Sequence, residues 1–234
     1  MKNNKEKTKT KTKMVHPLPP YSRGEEIMNM VTHIVGGGFA VSALVLCVVF
    51  AALWGDAWGV VSGAVYGTSM ILLYTMSSIY HGLIPEKPKR VFRVIDHCTI
   101  YILIAGTYTP ICLAGIRPRD SVTAWVLFGI IWGTAVLAVT LTAVDMHKFK
   151  IFSLIAYVAM GWAVIVRIPL VASVSGVRGM VFLVTGGVLY TIGAVLYLIG
   201  KKKSTPYIHG VFHIFVLLGS IAHFLMILLD VLPR

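Results

Sequence analysis

The chain has 234 residues, 57% of them hydrophobic and only 13% charged, with a mean hydropathy of +0.81. Soluble domains carry about 25% charged residues, so the composition excludes a soluble globular protein and points to a membrane. The formal charge of +12 does not indicate a nucleic-acid partner. Seven of the 21 Lys and Arg residues precede Gly24, and most others fall in short connections. That distribution fits membrane orientation and contact with inner-leaflet lipids.

Residues 1–24 are rich in Lys, Thr and Asn, then in Pro (His16-Pro17-Leu18-Pro19-Pro20). They are expected to form a flexible basic cytoplasmic tail. They do not read as a signal peptide: the first long apolar stretch exceeds signal length and no small-residue cleavage pattern follows. Residues 25–234 are expected to form one transmembrane domain. Glu25 and Glu26 open its first helix, where a helix N-terminus favours acidic residues. Asn29 and His33 share a face of the first two turns.

A span needs roughly 20 apolar residues to cross the hydrocarbon core. Uncharged runs predict seven spans, at about 31–54, 58–83, 97–115, 122–144, 151–166, 180–200 and 208–229. The fifth is the shortest and extends at most to Pro169. The loops between them are 55–57, 84–92, 116–121, 145–150, 167–179 and 201–207, short enough to make neighbouring helices antiparallel. The expected fold is therefore all-α, a seven-transmembrane helix bundle. Gly36-Gly37-Gly38 and Gly186-Gly187 lie within spans and are expected to allow close helix contact. Cys47, Cys98 and Cys112 show no CxxC spacing, which argues against a disulfide framework or a thiolate zinc site.

Orientation follows from Lys and Arg on alternate sides. The tail, Lys87, Lys89, Arg90, Arg93, Lys148, Lys150 and Lys201 to Lys203 put sixteen on one side; Arg117, Arg119, Arg167, Arg178 and Arg234 put five on the other. The N-terminus is expected to be cytoplasmic and the C-terminus external.

Ionisable residues then gather at one level. His209 and His213 open the seventh span, one turn apart on one face, a spacing that lets two imidazoles share a metal ion. His81 closes the second span, Asp96 opens the third, and Glu26 and His33 lie at the start of the first. All six fall at the inner end of the bundle. Ionisable groups within a span are costly and usually functional. Three imidazoles and a carboxylate at one depth suit Zn2+, with His81, His209 and His213 as ligands and one position left open. Asp96 is either a direct ligand or, preferably, a general base that holds the metal's water. Ser77, one turn before His81, either orients that imidazole, touches substrate, or bonds back to its own i−4 carbonyl. His97 is directed about 100° away from Asp96 and is left out. His223 lies about 15 Å deeper than His213, too far to join the group.

These residues resemble the haemolysin III proteins, the bacterial branch of the progestin and adipoQ receptor family within the CREST membrane hydrolase superfamily. The resemblance is carried by Ser77-Ser78-Ile79-Tyr80-His81, by Asp96-His97-Cys98 through Gly106-Thr107-Tyr108-Thr109-Pro110, and by His209-Gly210-Val211-Phe212-His213. Glu25 through His33 resembles the family's opening motif. It covers about residues 21–230. It implies seven helices and a zinc ion near the inner leaflet held by His81, His209 and His213, with Asp96 on the zinc's water and Ser77 beside the site. It further implies ceramidase-type amide hydrolysis, while the haemolysin name describes lysis and gives no chemistry. Three functions follow as alternatives: a zinc-dependent hydrolase of a lipid amide or ester, a cytolytic pore, and a membrane-state sensor with a structural zinc. Membrane lipids are the expected partners.

Overall fold

The computed structural model describes residues 18–233, so residues 1–17 of the basic tail lie outside the described residues. Among the described residues the chain is helical throughout, without a strand. The helices are α1 (Arg23–Trp54), α2 (Ala57–Gly82), α3 (Glu86–Pro110), α4 (Ser121–Asp145), α5 (Lys150–Trp162), α6 (Ile168–Lys202) and α7 (Ile208–Met226). Six helical stretches are long and apolar enough to cross a membrane, and large apolar side chains such as Val35, Val122 and Val166 face outward along them.

Local chemistry sets the helix starts. Ser22 and Glu25 form a reciprocal capping box, with Glu25 N–H donating to Ser22 Oγ at 3.3 Å and Ser22 N–H to Glu25 Oε2 at 2.8 Å. Asp56 caps α2 through Gly59 N–H at 2.8 Å, and Asp120 caps α4 through Thr123 N–H at 2.9 Å. The third helix starts eleven residues before the expected start of its span at His97, taking up most of the expected 84–92 loop. Pro88 sits in its first turn, where backbone N–H groups have no helical acceptor and a missing one costs nothing. Lys89 and Arg90 are therefore helical residues. Near the other end, Pro110 is followed by a fully buried π-helical turn, Ile111–Ile116.

The expected 167–179 loop is also helical. A 3₁₀ segment, Ala163–Arg167, leads from α5 into α6, and the only non-helical backbone inside α6 is at Gly176 (φ 64°, ψ −173°). Glycine alone takes this conformation readily. The chain folds back there: Trp162 Nε1 donates to Thr191 Oγ1 at 3.1 Å, across 29 residues. In one straight helix those residues would be about 43 Å apart.

Small residues bring α1 and α2 together. Ala40, Ala43, Cys47 and Ala51 are fully buried on one face of α1. Opposite them, Gly59 meets Ala51, Gly63 meets Cys47 and Gly67 meets Leu44. This is close backbone approach through small residues. Of the expected glycine contacts, Gly36 lies under Tyr74, Gly186 under His223 and Gly187 against Trp162, whereas Gly38 has open space around it. α3 is the central helix, buried over most of its apolar length.

Candidate metal centre

Three helices place the site. α1 and α2 lie side by side, and the start of α7 is tied to the start of α1: Tyr207 N–H donates to Glu25 Oε1 at 3.0 Å, from a left-handed residue (φ 58°) that turns the chain into α7. This brings His81 from the end of α2 against His209 and His213 from the first turns of α7. One nitrogen from each ring lies within 4.8 Å of the other two. Among the described residues this is the one group of three or more His, Cys, Asp or Glu side chains close enough to hold a metal ion, and it contains no carboxylate.

The ring orientations fit a shared cation. His213 Nδ1 is 3.1 Å from the Asn29 carbonyl oxygen and 3.2 Å from Thr32 Oγ1. The Thr32 hydroxyl already lies 2.9 Å from the carbonyls of Met28 and Asn29. His213 therefore donates from Nδ1, and its lone pair is on Nε2, which faces His209 Nε2 at 3.1 Å. A tetrahedral zinc with nitrogens at about 2.0–2.1 Å separates its ligands by roughly 3.3 Å, close to this distance. His81 Nδ1 meets Glu26 Oε2 at 2.6 Å, which fixes the proton on Nδ1. His81 Nε2 is left buried with no hydrogen-bond partner. A buried polar atom without a partner calls for a ligand, an ion or water, and the His81 ring lies 5.1 and 5.3 Å from the rings of His209 and His213, centroid to centroid.

Asp96 lies beside this group, at the start of the buried part of α3, with His97, His81, Ser77 and Arg93 as its electrostatic neighbours. Ser77 is fully buried with its hydroxyl directed at the Asp96 carboxylate, and it makes no bond to its own i−4 carbonyl. His97, set aside on its helical angle, bends back: its Nδ1 donates to the Arg93 carbonyl at 2.8 Å and comes within 3.8 Å of Asp96 Oδ2. His223 is deep in the bundle, with Nε2 3.1 Å from the Leu183 carbonyl oxygen.

Three further residues contact the group: Glu26 and His33, which the sequence places at its level without giving them a role, and Tyr21, which it does not single out. Glu26 joins His81 to Lys89, whose Nζ lies 2.9 Å from Glu26 Oε1. His33 stacks on His213. Tyr21 stacks on His209, with ring centroids 5.3 Å apart and planes 17° apart, and covers the end of the site. Burial pushes the Tyr21 phenol pKa up, and neighbouring Tyr197 adds to this. An i, i+4 search along one helix finds His209 and His213; Glu26 and His33 come from α1 and Tyr21 from the segment before it, and no spacing rule links them.

The fold and site define a multi-pass membrane protein with a three-histidine centre at one end of its helical bundle. The chain belongs to the haemolysin III family: the "Haemolysin-III related" family matches residues 21–224. It is 39% identical over 205 residues to "Hemolysin-3 homolog" of Bacillus subtilis, covering 87% of this chain and 93% of that one. It is 39% identical over 210 residues to "Hemolysin-3" of Bacillus cereus, covering 89% and 93%. It is also 26% identical over 208 residues to human "Monocyte to macrophage differentiation factor", covering 86% and 82%.

Proposed function

We propose that the protein is a zinc-dependent hydrolase acting on an amide or ester bond of a membrane lipid. The observation that carries this is the grouping of His81, whose Nε2 is buried without a partner, with His209 and His213, and a carboxylate near His81 that stands outside their set. His81, His209 and His213 would hold the ion. A bound zinc ion polarises a carbonyl and lowers the pKa of water toward about 7.

The other roles belong to the chain's own side chains. Asp96 accepts a proton from the attacking water and returns it to the leaving amine or alkoxide. Ser77, whose hydroxyl lies against Asp96, orients that water or the substrate carbonyl. His97 and Arg93 hold the Asp96 carboxylate toward the site. A substrate already in the bilayer needs no large soluble lid, and no extramembrane domain covers the site among the described residues.

The topology we propose has seven crossings, with the N-terminus cytoplasmic and the C-terminus external. The 51-residue apolar stretch Lys150–Gly200 would be about 76 Å long as one helix, against a hydrocarbon core of about 30 Å. Its reversal at Gly176 supports two crossings in place of one. The lysine and arginine asymmetry supports the orientation.

A second reading, cytolysis, draws on the names of the two Bacillus relatives. Polar groups in mid-bundle weigh against an open pore. Tyr74 and Tyr190 both bond Ser220 Oγ, at 2.8 and 2.7 Å, closing on one another inside the core.

The test is zinc content and lipid-amide hydrolysis by the purified protein. Asp96→Asn should keep zinc and lose at least about a hundredfold in turnover, while His209→Ala should lose zinc and turnover together. Full turnover in Asp96→Asn removes the base role. Red-cell lysis by both inactive variants favours the pore reading.

A further inference from the structure

Given the three-histidine metal site proposed above, we infer that Glu26 is a positioning residue for His81, and that Lys89 opposes it by drawing on the same carboxylate. One residue from each of three helices makes this arrangement. Glu26 Oε2 (α1) lies 2.6 Å from His81 Nδ1 (α2), and Glu26 Oε1 lies 2.9 Å from Lys89 Nζ (α3). Lys89 also donates to the Leu83 carbonyl at 3.0 Å and sits 5.3 Å from the centroid of the Tyr80 ring.

The first half of the inference concerns the imidazole. A carboxylate on Nδ1–H fixes the tautomer, aims Nε2 and makes it a stronger donor to a cation. His81 needs such a partner, since its side chain is fully buried and its Nε2 meets no protein group. The other polar group near Nδ1, Asn29 Nδ2, stands 3.5 Å away, at the limit of a hydrogen bond. Glu26 is therefore the group that sets this ring.

The second half concerns the lysine. Lys89 is only 9% exposed, and buried lysines are rare unless paired. Its ammonium takes the carboxylate oxygen that His81 does not use. Electron density drawn toward Lys89 is withheld from the His81 N–H, and its positive charge lies near a site meant for a cation. Removing Glu26 should therefore weaken metal binding, and removing the Lys89 charge should strengthen it. A three-helix staple with no part in tuning the metal gives one sign for both changes, because losing either partner loosens the same contact.

The experiment uses the full chain in detergent, stripped by a chelator and titrated with Zn2+ against a chromophoric competitor, then with Co2+ to record its visible bands. Glu26→Gln is expected to weaken Zn2+ binding by about 10- to 100-fold and to shift the Co2+ bands. Lys89→Met, similar in length and uncharged, is expected to tighten Zn2+ binding by roughly tenfold. Weakening by both variants, or unchanged affinity in Glu26→Gln, overturns the inference. Melting of the stripped proteins reports folding separately; if Glu26→Gln does not fold, the sign of the Lys89→Met change decides alone. Wild-type binding that His209→Ala abolishes upholds the metal site whatever Glu26 does, and a wild type that binds neither ion overturns both.

Discussion

His33 lies flat on His213, with ring centroids 3.6 Å apart and planes 16° apart, while the edge of Tyr74 closes its other side at 5.2 Å. His33 is 4% exposed, and neither of its nitrogens has a hydrogen-bond partner. Its contribution to the site is the ring face that holds His213 in plane. Leaving two polar atoms unsatisfied costs about 1–3 kcal/mol each. His33→Phe keeps the stack and removes both atoms, so it should melt at or above wild type and retain the metal. His33→Ala loses the ring and should melt lower by a few kcal/mol. Thermal melts in detergent check this, and a Phe variant melting below the Ala variant would contradict it.

Tyr21 covers His209 from outside the helices, and its ring also approaches His81, at 6.0 Å. Removing the ring opens the imidazoles of the proposed metal site to solvent without altering them. Tyr21→Ala should therefore release bound metal to a chelator faster, by about tenfold or more, with a smaller change in equilibrium affinity; Tyr21→Phe should behave as wild type. Stopped-flow chelation measures the rate. Equal release rates in the Ala variant and wild type would show that the stack gives no protection.

Gly176 marks the reversal between α5 and the second part of α6. A Cβ there would meet no atom within 4 Å, so any cost of substitution is in the backbone. At φ 64° and ψ −173° a side chain costs about 1–3 kcal/mol. Gly176→Ala should lower stability by that amount. Gly38→Ala, also in open space but inside a helix, should be neutral or stabilising by up to about 1 kcal/mol. Equal melting of the two alanine variants would place the chain reversal elsewhere.

Apolar runs and charge breaks made the helices legible in sequence, because a membrane span must be long and uncharged. They misplaced helix ends where charge did not mean loop. Lys89 and Arg90 lie in the first turns of α3, and Lys89 is neutralised by Glu26 inside the bundle. They also misread 167–179, where one glycine makes the turn and the flanking residues stay helical. The histidine group was legible because four helices carry their ionisable residues at the same end. Its supporting contacts were not. The reach of Glu26 to His81, the stack of His33 on His213 and the cover of Tyr21 depend on how α1 lies against α2 and α7, which local spacing does not specify. His97 shows the converse: adjacent residues diverge on a helix, yet its ring turns back toward Asp96.

X-ray absorption at the zinc edge tests most directly whether His81, His209 and His213 share one cation. Stripped protein reloaded with one equivalent of Zn2+ should show imidazole nitrogens at about 2.0–2.1 Å and a nitrogen count near three. That count should fall in His81→Ala, on α2, as it does in His213→Ala, on α7. A shell of oxygens alone, or a wild-type spectrum left unchanged by His81→Ala, would contradict a centre built between these two helices.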